Sequence, residues 1–438
     1  MMNDDFVEEY DALVIGGGIA GIESALTLAD MGFNVLLVEK EPSIGGKMAL
    51  LSKVFPTLDC ASCISTPKMA AVYHHPNITL KVYSEVTEIN KLGEGEFEAV
   101  IVEKPKYVDP QKCTACTLCE KACPVIVPDE YQFGLRGRKA IYIPFDIAVP
   151  KKAVLDIRNC ILCGQCERVC PTGAINFLDT PKQYKVKTHS IIVATGFKLF
   201  NPLMKPEFKY GQFRNVITSM QMERLLSPTS PYGGILKPHD GGEPMKIAYF
   251  LCAGSRDLKL NYPLCSQVCC MYSIKQAQLI LGALPLADVY IFYIDIRAFG
   301  KGFEEFYQQA KAMGVNFIKG QPSLFDEKED GTIVVTYWDS NDNTFKVDEF
   351  DLVVLSVGLW PNGEIAKVFK NVKLETDEYG WIKVADPNRN PVKTSVEGVF
   401  VAGTASGPKD IPETIIEANA AAAQAASYIL KYKNKDKG

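Results

Sequence analysis

Residues 11–39 read DALVIGGGIAGIESALTLADMGFNVLLVE. The apolar run ALVI ends directly in glycines, which marks a strand over Asp11–Ile15 feeding a tight turn. A helix is expected from about Ala20 to Met31, and a second strand, NVLLVE, ends at Glu39. Between strand and helix, Gly16, Gly18 and Gly21 form G-x-G-x-x-G. The first glycine permits the turn. The second lets backbone approach a pyrophosphate, and the third lets the helix pack close to the strand. The helix N-terminus offers free N–H groups and partial positive charge to phosphates. Glu39 stands where a carboxylate can accept hydrogen bonds from adenosine ribose hydroxyls. The unit therefore predicts a dinucleotide site.

Working outward, the 438 residues leave room for two or three domains. Hydrophobic residues make up 47% and charged residues 23%, with a net charge of −5. No basic block points to nucleic acid. No apolar run predicts a transmembrane helix, so any membrane association is expected only through partners. The start, MMNDDFVEEY, lacks the layout of a secretion signal. Fourteen cysteines are the unusual number. They lie in tight groups in a long chain, which favours metal clusters in a reducing compartment over disulfides, hence the cytoplasm.

The stretch from about Pro105 to Pro181 is rich in Cys, Pro and Lys and interrupts an α/β pattern that resumes with IIVATG. Cys113, Cys116, Cys119 and Cys123-Pro124 form one C-x2-C-x2-C-x3-C-P group; Cys160, Cys163, Cys166 and Cys170-Pro171 form the second. Thiolates suit iron–sulfur clusters, and structural zinc sites rarely repeat this triple spacing. In two-cluster ferredoxins the fourth cysteine of each group ligates the other cluster. Cys113, Cys116, Cys119 and Cys170 are thus expected to hold one cluster, and Cys160, Cys163, Cys166 and Cys123 the other. Arg136 and Arg138 should serve a turn in this insert or a partner surface. His74, His75, His189 and His239 lack metal-ligand spacing.

A third section, about 201–380, carries the strands KIAYFL, DVYIFYI and DLVVLSVG and a helix after Cys270. After KIAYFL comes LCAGSRDLKLNYPLCSQVCCMYSIKQA, with one glycine, Gly254, and four cysteines: Cys252, Cys265, Cys269 and Cys270. Cys265 and Cys269 are spaced to share one helix face, with some distortion needed to include Cys270. The group reads as a third [4Fe–4S] site. The last section, from about 381, has the strand GVFVAG and an alanine-rich helix to about Tyr432, followed by a KNKDKG tail expected to fray. Asp410 suits that helix's N-cap and Pro412 its first turn.

Gly16–Gly21, Glu39, Gly45–Gly46, Ala194–Thr195–Gly196 and Val399–Gly403 occur in that order. This resembles the two-dinucleotide-binding-domain flavoproteins, of which thioredoxin reductase is one. The resemblance implies FAD at the N-terminal site, with Gly16, Gly18, Gly21, Glu39, Gly45, Gly46, Thr195, Gly196, Gly403, Thr404, Lys409 and Ile411 around it. The family's late motif usually reads G-D, and here Thr404 follows Gly403. The helix from Ile411 would point its N-terminus at the flavin pyrimidine edge and stabilise the anionic reduced flavin, with Lys409 adding a charge; Lys409 also reads as a solvated loop lysine. A second glycine motif for NAD(P)H is missing, and the Cys252 group takes its place.

The C-x12-C-x3-C-C spacing, LDCASC-x3-PKM at Leu58–Met69, the ferredoxin motifs and GPKDIPETI resemble the A subunit of heterodisulfide reductase over nearly the whole chain. The family places an unusual [4Fe–4S] cluster on the C-C group, close to FAD, and some members split electron pairs by flavin-based bifurcation. This chain ends soon after the FAD helix, without the C-terminal ferredoxin module of the longer methanogen form. Similar short subunits occur in sulfur-metabolising systems, including quinone-interacting complexes. The implied fold is an α/β thioredoxin-reductase-like flavoprotein with an inserted two-cluster ferredoxin-like α+β module. Its expected parts are FAD domain (1–104), insert (105–182), FAD domain return (183–200), second Rossmann-like domain (201–380) and FAD domain end (381–438). The implied function is FAD- and [4Fe–4S]-dependent electron transfer, with one FAD and three clusters. Implied partners are other heterodisulfide-reductase-like subunits and an external donor or acceptor protein, and a homodimer is compatible with the sequence.

Cys60 and Cys63 remain. They read as a redox pair, as ligands completed by another subunit, or as buried cysteines. Disulfide reductases carry C-x4-C in a comparable region, so the C-x2-C here does not carry over directly. Three further readings stay open: an NAD(P)H-dependent oxidoreductase resembling glutamate synthase small subunit, a subunit of a quinone-interacting complex without bifurcation, and an electron-wiring subunit whose chemistry lies on partners.

Overall fold

The computed structural model describes residues 7–433. Apart from Lys433, the KNKDKG tail lies outside them. In chain order the first elements are β1 (Val7–Ile15), α1 (Ile19–Asp30), β2 (Val35–Glu39), α2 (Ala61–His74), β3 (Ile78–Val82), β4 (Ser84–Gly93) and β5 (Glu96–Glu103). The interrupting segment follows, with α3 (Leu118–Ala122), β6 (Ile126–Pro128), β7 (Gly137–Lys139), β8 (Ile141–Tyr142), β9 (Val154–Leu155) and α4 (Gln165–Val169). Then come β10 (Lys182–Val193), β11 (Lys198–Leu199), β12 (Val216–Thr218), α5 (Ser219–Leu225), β13 (Lys246–Ala253), α6 (Cys269–Ala283), β14 (Asp288–Tyr293) and α7 (Phe303–Ala312). The chain closes with β15 (Asn316–Glu327), β16 (Ile333–Asp339), β17 (Thr344–Phe350), β18 (Leu352–Val357), β19 (Leu359–Trp360), β20 (Val384–Asp386), β21 (Asn390–Thr394), β22 (Val399–Val401) and α8 (Ile411–Lys433).

Two sheets organise these elements. The first has nine strands, with β20-β21-β22-β10-β1-β2-β3 in line and the β4–β5 hairpin attached to β10. Its centre is parallel: Ala12–Ile15 align with Val35–Val38, and Ile191–Val193 with Val399–Val401. Leu13, Val14, Val35, Leu36, Ile191 and Ile192 are fully buried, as strands covered on both faces require. On one face α1 and α8 approach closely, because Ala25, Ala29, Ala418, Ala421, Ala422 and Ala425 present only methyl groups to the core. The second sheet has seven strands in the order β12-β18-β13-β14-β15-β16-β17. It is parallel through β15 and then turns back as an antiparallel meander.

The cysteine-rich segment leaves the first sheet at Glu103 and re-enters at Lys182, and these two residues are direct antiparallel partners. A module whose ends are neighbours can be inserted without disturbing the sheet. The chain returns from the second body before β20. Ile365, Phe369 and Leu374 already pack into the core of the first sheet. Among the described residues, no helix is long and apolar enough to cross a membrane.

The dinucleotide cradle and the cysteine groups

The turn after β1 is held by contacts that tolerate no side chain. Gly16 has φ +108°, and a Cβ on Gly21 would stand 1.8 Å from the Gly16 carbonyl oxygen. Gly18 differs: a Cβ there would meet nothing nearer than the Gly46 Cα at 4.0 Å. It is the N-cap of α1 and carries no side chain, so the first N–H groups of that helix are open to a ligand. Gly45 and Gly46 close over the turn in left-handed conformation, and the Gly45 N–H donates to the Gly17 carbonyl at 2.8 Å. This cradle fits the diphosphate of FAD. Glu39, at the end of β2, accepts from the N–H groups of Gly17 (2.6 Å) and Glu41 (2.8 Å). Burial pushes its carboxyl up, against the pull of those two amides.

Thr195 and Gly196 follow β10 on the opposite wall, and Gly196 faces the Thr404 hydroxyl. The buried Thr195 hydroxyl has no partner among the described residues, as a group waiting for a ligand would. Gly403 begins the turn into α8, and its N–H donates to Glu417 at 3.1 Å. Asp410 and Glu413 exchange backbone-to-carboxylate bonds at 2.8 and 3.1 Å, the capping box that starts α8 at Ile411. Lys409 is not a free loop lysine. Its Nζ donates to the Ser406 hydroxyl (2.9 Å) and the Gly403 carbonyl (3.3 Å), and it lies 3.4 Å from Glu417.

In the insert the two cysteine repeats have the same backbone. Ala115 and Leu162 are left-handed, and so are Thr117 and Gly164, which cap α3 and α4; Cys123 and Cys170 end those helices. The crosswise grouping is visible in the surroundings. One recess is lined by Cys113, Cys116, Cys119 and Cys170 with Val108 and Ala174. Burial pushes the Cys119 thiol up to about 11, with Cys113 and Cys116 adding. Cys166 is raised by burial too, with Cys160 and Cys123 as its charged neighbours. Backbone N–H groups of Leu162 and Ala174 donate to the sulfurs of Cys160 and Cys170, each at 3.3 Å. Arg136 and Arg138 work within the insert: Arg136 pairs with Asp129, and Arg138 with Glu130 and Asp156.

The third group is built at the end of β13. Cys252 is left-handed (φ 62°), and residues 254–268 loop out before α6 opens with Cys269 and Cys270. Cys265 lies in that loop and not on the helix face expected from its spacing, so the sulfurs gather without distorting α6. All four interact: Cys269 is raised well above the ordinary thiol value by burial, then by Cys252, Cys270 and Cys265. Burial takes Cys252 up to about 12. A bound cluster would take these cysteines as thiolates. The all-sulfur sets fit iron–sulfur clusters, whose ligands stand further apart than those of one ion. Among the described residues no three His, Cys, Asp or Glu side chains converge on a single-ion position. Phe200 and Trp360 fill the turn after β13: a Cβ on Gly254 would lie 2.0 Å from the Phe200 ring, and Trp360 donates to the Gly254 carbonyl at 2.7 Å.

Cys60 is the N-cap of α2, and its sulfur accepts the Cys63 N–H at 3.2 Å. Cys63 is exposed and Cys60 partly so, which removes the buried-cysteine alternative. Sequence reasoning missed two features. One is Lys47, directly after Gly45–Gly46. The other is a buried junction on α5, whose capping box at Thr218–Gln221 was a usable signal. There Glu223 pairs with Lys275 of α6 and accepts from the Ser52 hydroxyl at 2.7 Å, while Arg224 donates to the Leu50 carbonyl and to Gln132 of the insert, each at 3.0 Å.

Residues 11–65 match the FAD dependent oxidoreductase family, 112–175 the 4Fe-4S dicluster domain, and 287–425 the pyridine nucleotide-disulphide oxidoreductase family. The last match begins beyond the third cysteine group. The chain is 46% identical over 417 residues to the iron-sulfur A subunit of the CoB–CoM heterodisulfide reductase of Methanocaldococcus jannaschii, covering 94% of this chain and 63% of that one. It is 47% identical over 419 residues to an iron-sulfur A subunit of the same enzyme in Methanopyrus kandleri, covering 95% and 64%. The chain thus spans just under two thirds of the length of these relatives. Among solved structures, thioredoxin reductase of T. acidophilum shares the fold with a TM-score of 0.54 at 16% identity, over 96% of this chain and 98% of that one. The thioredoxin reductase of Lactococcus lactis also gives 0.54, at 17% identity over 96% and 99%.

Proposed function

We propose, on the premise that the chain is a homologue of the iron–sulfur A subunit of heterodisulfide reductase, 41–47% identical over about 95% of its own length, that it is an FAD- and [4Fe–4S]-dependent electron-transfer subunit of an oxidoreductase complex. The observation that carries the reading is the juxtaposition of one dinucleotide cradle with three all-cysteine groups in a single chain. FAD supplies the two-electron to one-electron exchange and the clusters supply one-electron relays. Gly18, Gly45, Gly46, Thr195, Gly196, Gly403 and Thr404 would hold the flavin nucleotide. The two crosswise insert sets and the Cys252 group would each hold one cluster, three in all. Other heterodisulfide-reductase-like subunits and an outside donor or acceptor protein are the proposed partners, and the fourteen unpaired thiols support a reducing, cytoplasmic setting.

Phe200 and Trp360 at the end of β13 disfavour the NAD(P)H reading. They occupy the turn where a nicotinamide nucleotide would place its diphosphate. Cys60 and Cys63 read as a redox dithiol or as ligands completed by another subunit; as a dithiol, their oxidation would join the two sulfurs, release two protons and pass two electrons to an acceptor such as FAD.

The test is stoichiometry. Anaerobically prepared protein should carry one FAD and about twelve iron atoms, four for each four-cysteine cluster. Gly18→Val should lose FAD and keep its iron, since a Cβ there comes no nearer to protein than 4.0 Å and the added side chain fills the cradle. Iron near eight would empty the Cys252 group, and zinc in place of iron would end the electron-transfer reading.

A further inference from the structure

Lys47 is the first residue after Gly45–Gly46, on the segment that closes over the glycine turn. Its ammonium lies 4.8 Å from the centre of the Phe197 ring, which directly follows Thr195–Gly196 on the other wall of the cradle. The side chain therefore spans the cleft from one set of cofactor residues to the other. Among the described residues it makes no hydrogen bond and no ion pair. Glu39 and Glu41 are its nearest acidic neighbours and Lys40 a nearby cation, yet neither carboxylate bonds to it. Glu39 is already engaged by the Gly17 and Glu41 amides. Burial draws the ammonium down to about 8, with Lys40 adding to the effect and the two glutamates opposing it.

A half-buried ammonium without an anion is unfavourable, and ring stacking offsets only part of that. Two other charged side chains at the cradle are satisfied: Lys409 by Ser406, Gly403 and Glu417, and Glu39 by amides. Among the described residues Lys40 also lacks a partner but is exposed, whereas Lys47 lies partly buried between the two walls. The group that FAD brings to this point is its diphosphate, which the Gly16–Gly21 turn and the α1 N-terminus receive from the other side. A Cβ on Gly46 would lie 2.8 Å from the Gly18 Cα, so the Lys47 backbone sits next to the N-cap of α1.

We propose that Lys47 is the cationic ligand of the FAD diphosphate, clamping it against the N-terminus of α1. The helix end contributes about half a charge and Lys47 a full one. The assignment rests on the FAD reading above.

The experiment compares full-length wild type with Lys47→Met, Lys47→Gln and Lys47→Arg, stripped of flavin and matched for iron content. FAD, ADP and adenosine are the titrants. ADP carries the diphosphate without the isoalloxazine, and adenosine carries neither. The expected result is that Met and Gln weaken FAD and ADP by the same factor, about 10- to 100-fold for a lost charge-assisted contact, with adenosine unchanged. Arg should restore most of the affinity. Equal ADP binding by wild type and Lys47→Gln overturns the proposal. Weakened FAD with unchanged ADP also overturns it, because Lys47 would then act on the flavin ring. A wild-type chain that takes up neither FAD nor ADP would instead overturn the FAD reading itself.

Discussion

Cys60 and Cys63 sit on one helical turn with unequal surroundings. The Cys63 thiol donates to Cys60, and this hydrogen bond is the largest of the effects that lower the Cys60 pKa; the amides of Cys63 and Ser62 add to it. The same bond raises Cys63. A thiol at a helix N-terminus in C-x-x-C is the arrangement that favours thiolate. As pH rises, Cys60 should therefore ionise first. Mass-spectrometric mapping of iodoacetamide labelling against pH should show Cys60 reacting at lower pH than Cys63. In Cys63→Ala the thiol donor is gone and the Cys60 midpoint should move up. Coincident midpoints in the wild type would show that the pair is not polarised. At this scale much was legible in the sequence: Gly16, Gly18 and Gly21 act through their own backbone, and the ferredoxin cysteines through local spacing. Lys47 was not, because its meaning comes from Phe197, which is close only in the folded chain.

Elements were legible where one segment decides its own form. The run ALVIGGG marked the first strand and turn, and DVYIFY and the alanine-rich C-terminal helix were equally direct. The placement of Cys265 was not, because the loop 254–268 is shaped by what it packs against: Tyr262 with Trp360 and Trp381, and Ser266 with Ser255 and the Leu359 amide. Helix α5 is the sharper case. Its seven residues look like a connector, yet it joins three parts of the chain. Glu223 reaches Ser52 of the first body and Lys275 of α6, and Arg224 reaches Leu50 and the insert's Gln132 while stacking on Tyr131. Burial pushes the Glu223 carboxyl up, but Lys275, Gln276 and Ser52 outweigh it, and the group stays ionised. Removing one member of a buried pair strands the other charge, at about 3–5 kcal/mol. Glu223→Gln should thus lower the denaturation midpoint sharply at matched FAD and iron content. Lys275→Met with Glu223→Gln should recover part of the loss, since neither charge is then left alone. A single variant as stable as wild type would show that the junction carries little.

On the scale of the molecule, the glycine cradle touches both the cysteine-rich insert and the second body. The insert docks on the segment that carries Gly45–Gly46: the Val149 N–H donates to the Ser43 hydroxyl at 2.8 Å, the Ile44 N–H to the Val149 carbonyl at 3.0 Å, and the Tyr131 hydroxyl to the Ala49 carbonyl at 3.0 Å. From the other side, Phe197 of the cradle packs against the same buried cluster, Tyr262, Leu359 and Trp381, as Leu264 and Val268, the residues that precede Cys265 and Cys269. The loop that carries Cys265 thus shares a hydrophobic cluster with the Phe197 side of the cradle. Electron transfer falls off steeply with distance, so this group is the proposed immediate neighbour of FAD, and the insert clusters connect to the outside partner. Cys269 is the variant to make, because it is buried and its sulfur faces the other three. Cys269→Ser should remove one thiolate and bring the iron content from about twelve toward eight, with FAD retained through the separate Gly18 cradle. Reduction of the flavin by the partner subunits should then slow sharply in stopped-flow, while direct reduction by dithionite persists. Should the variant lose the cluster and still exchange electrons with its partner at the wild-type rate, the Cys252 group is not the relay to the flavin and the proposed route is wrong.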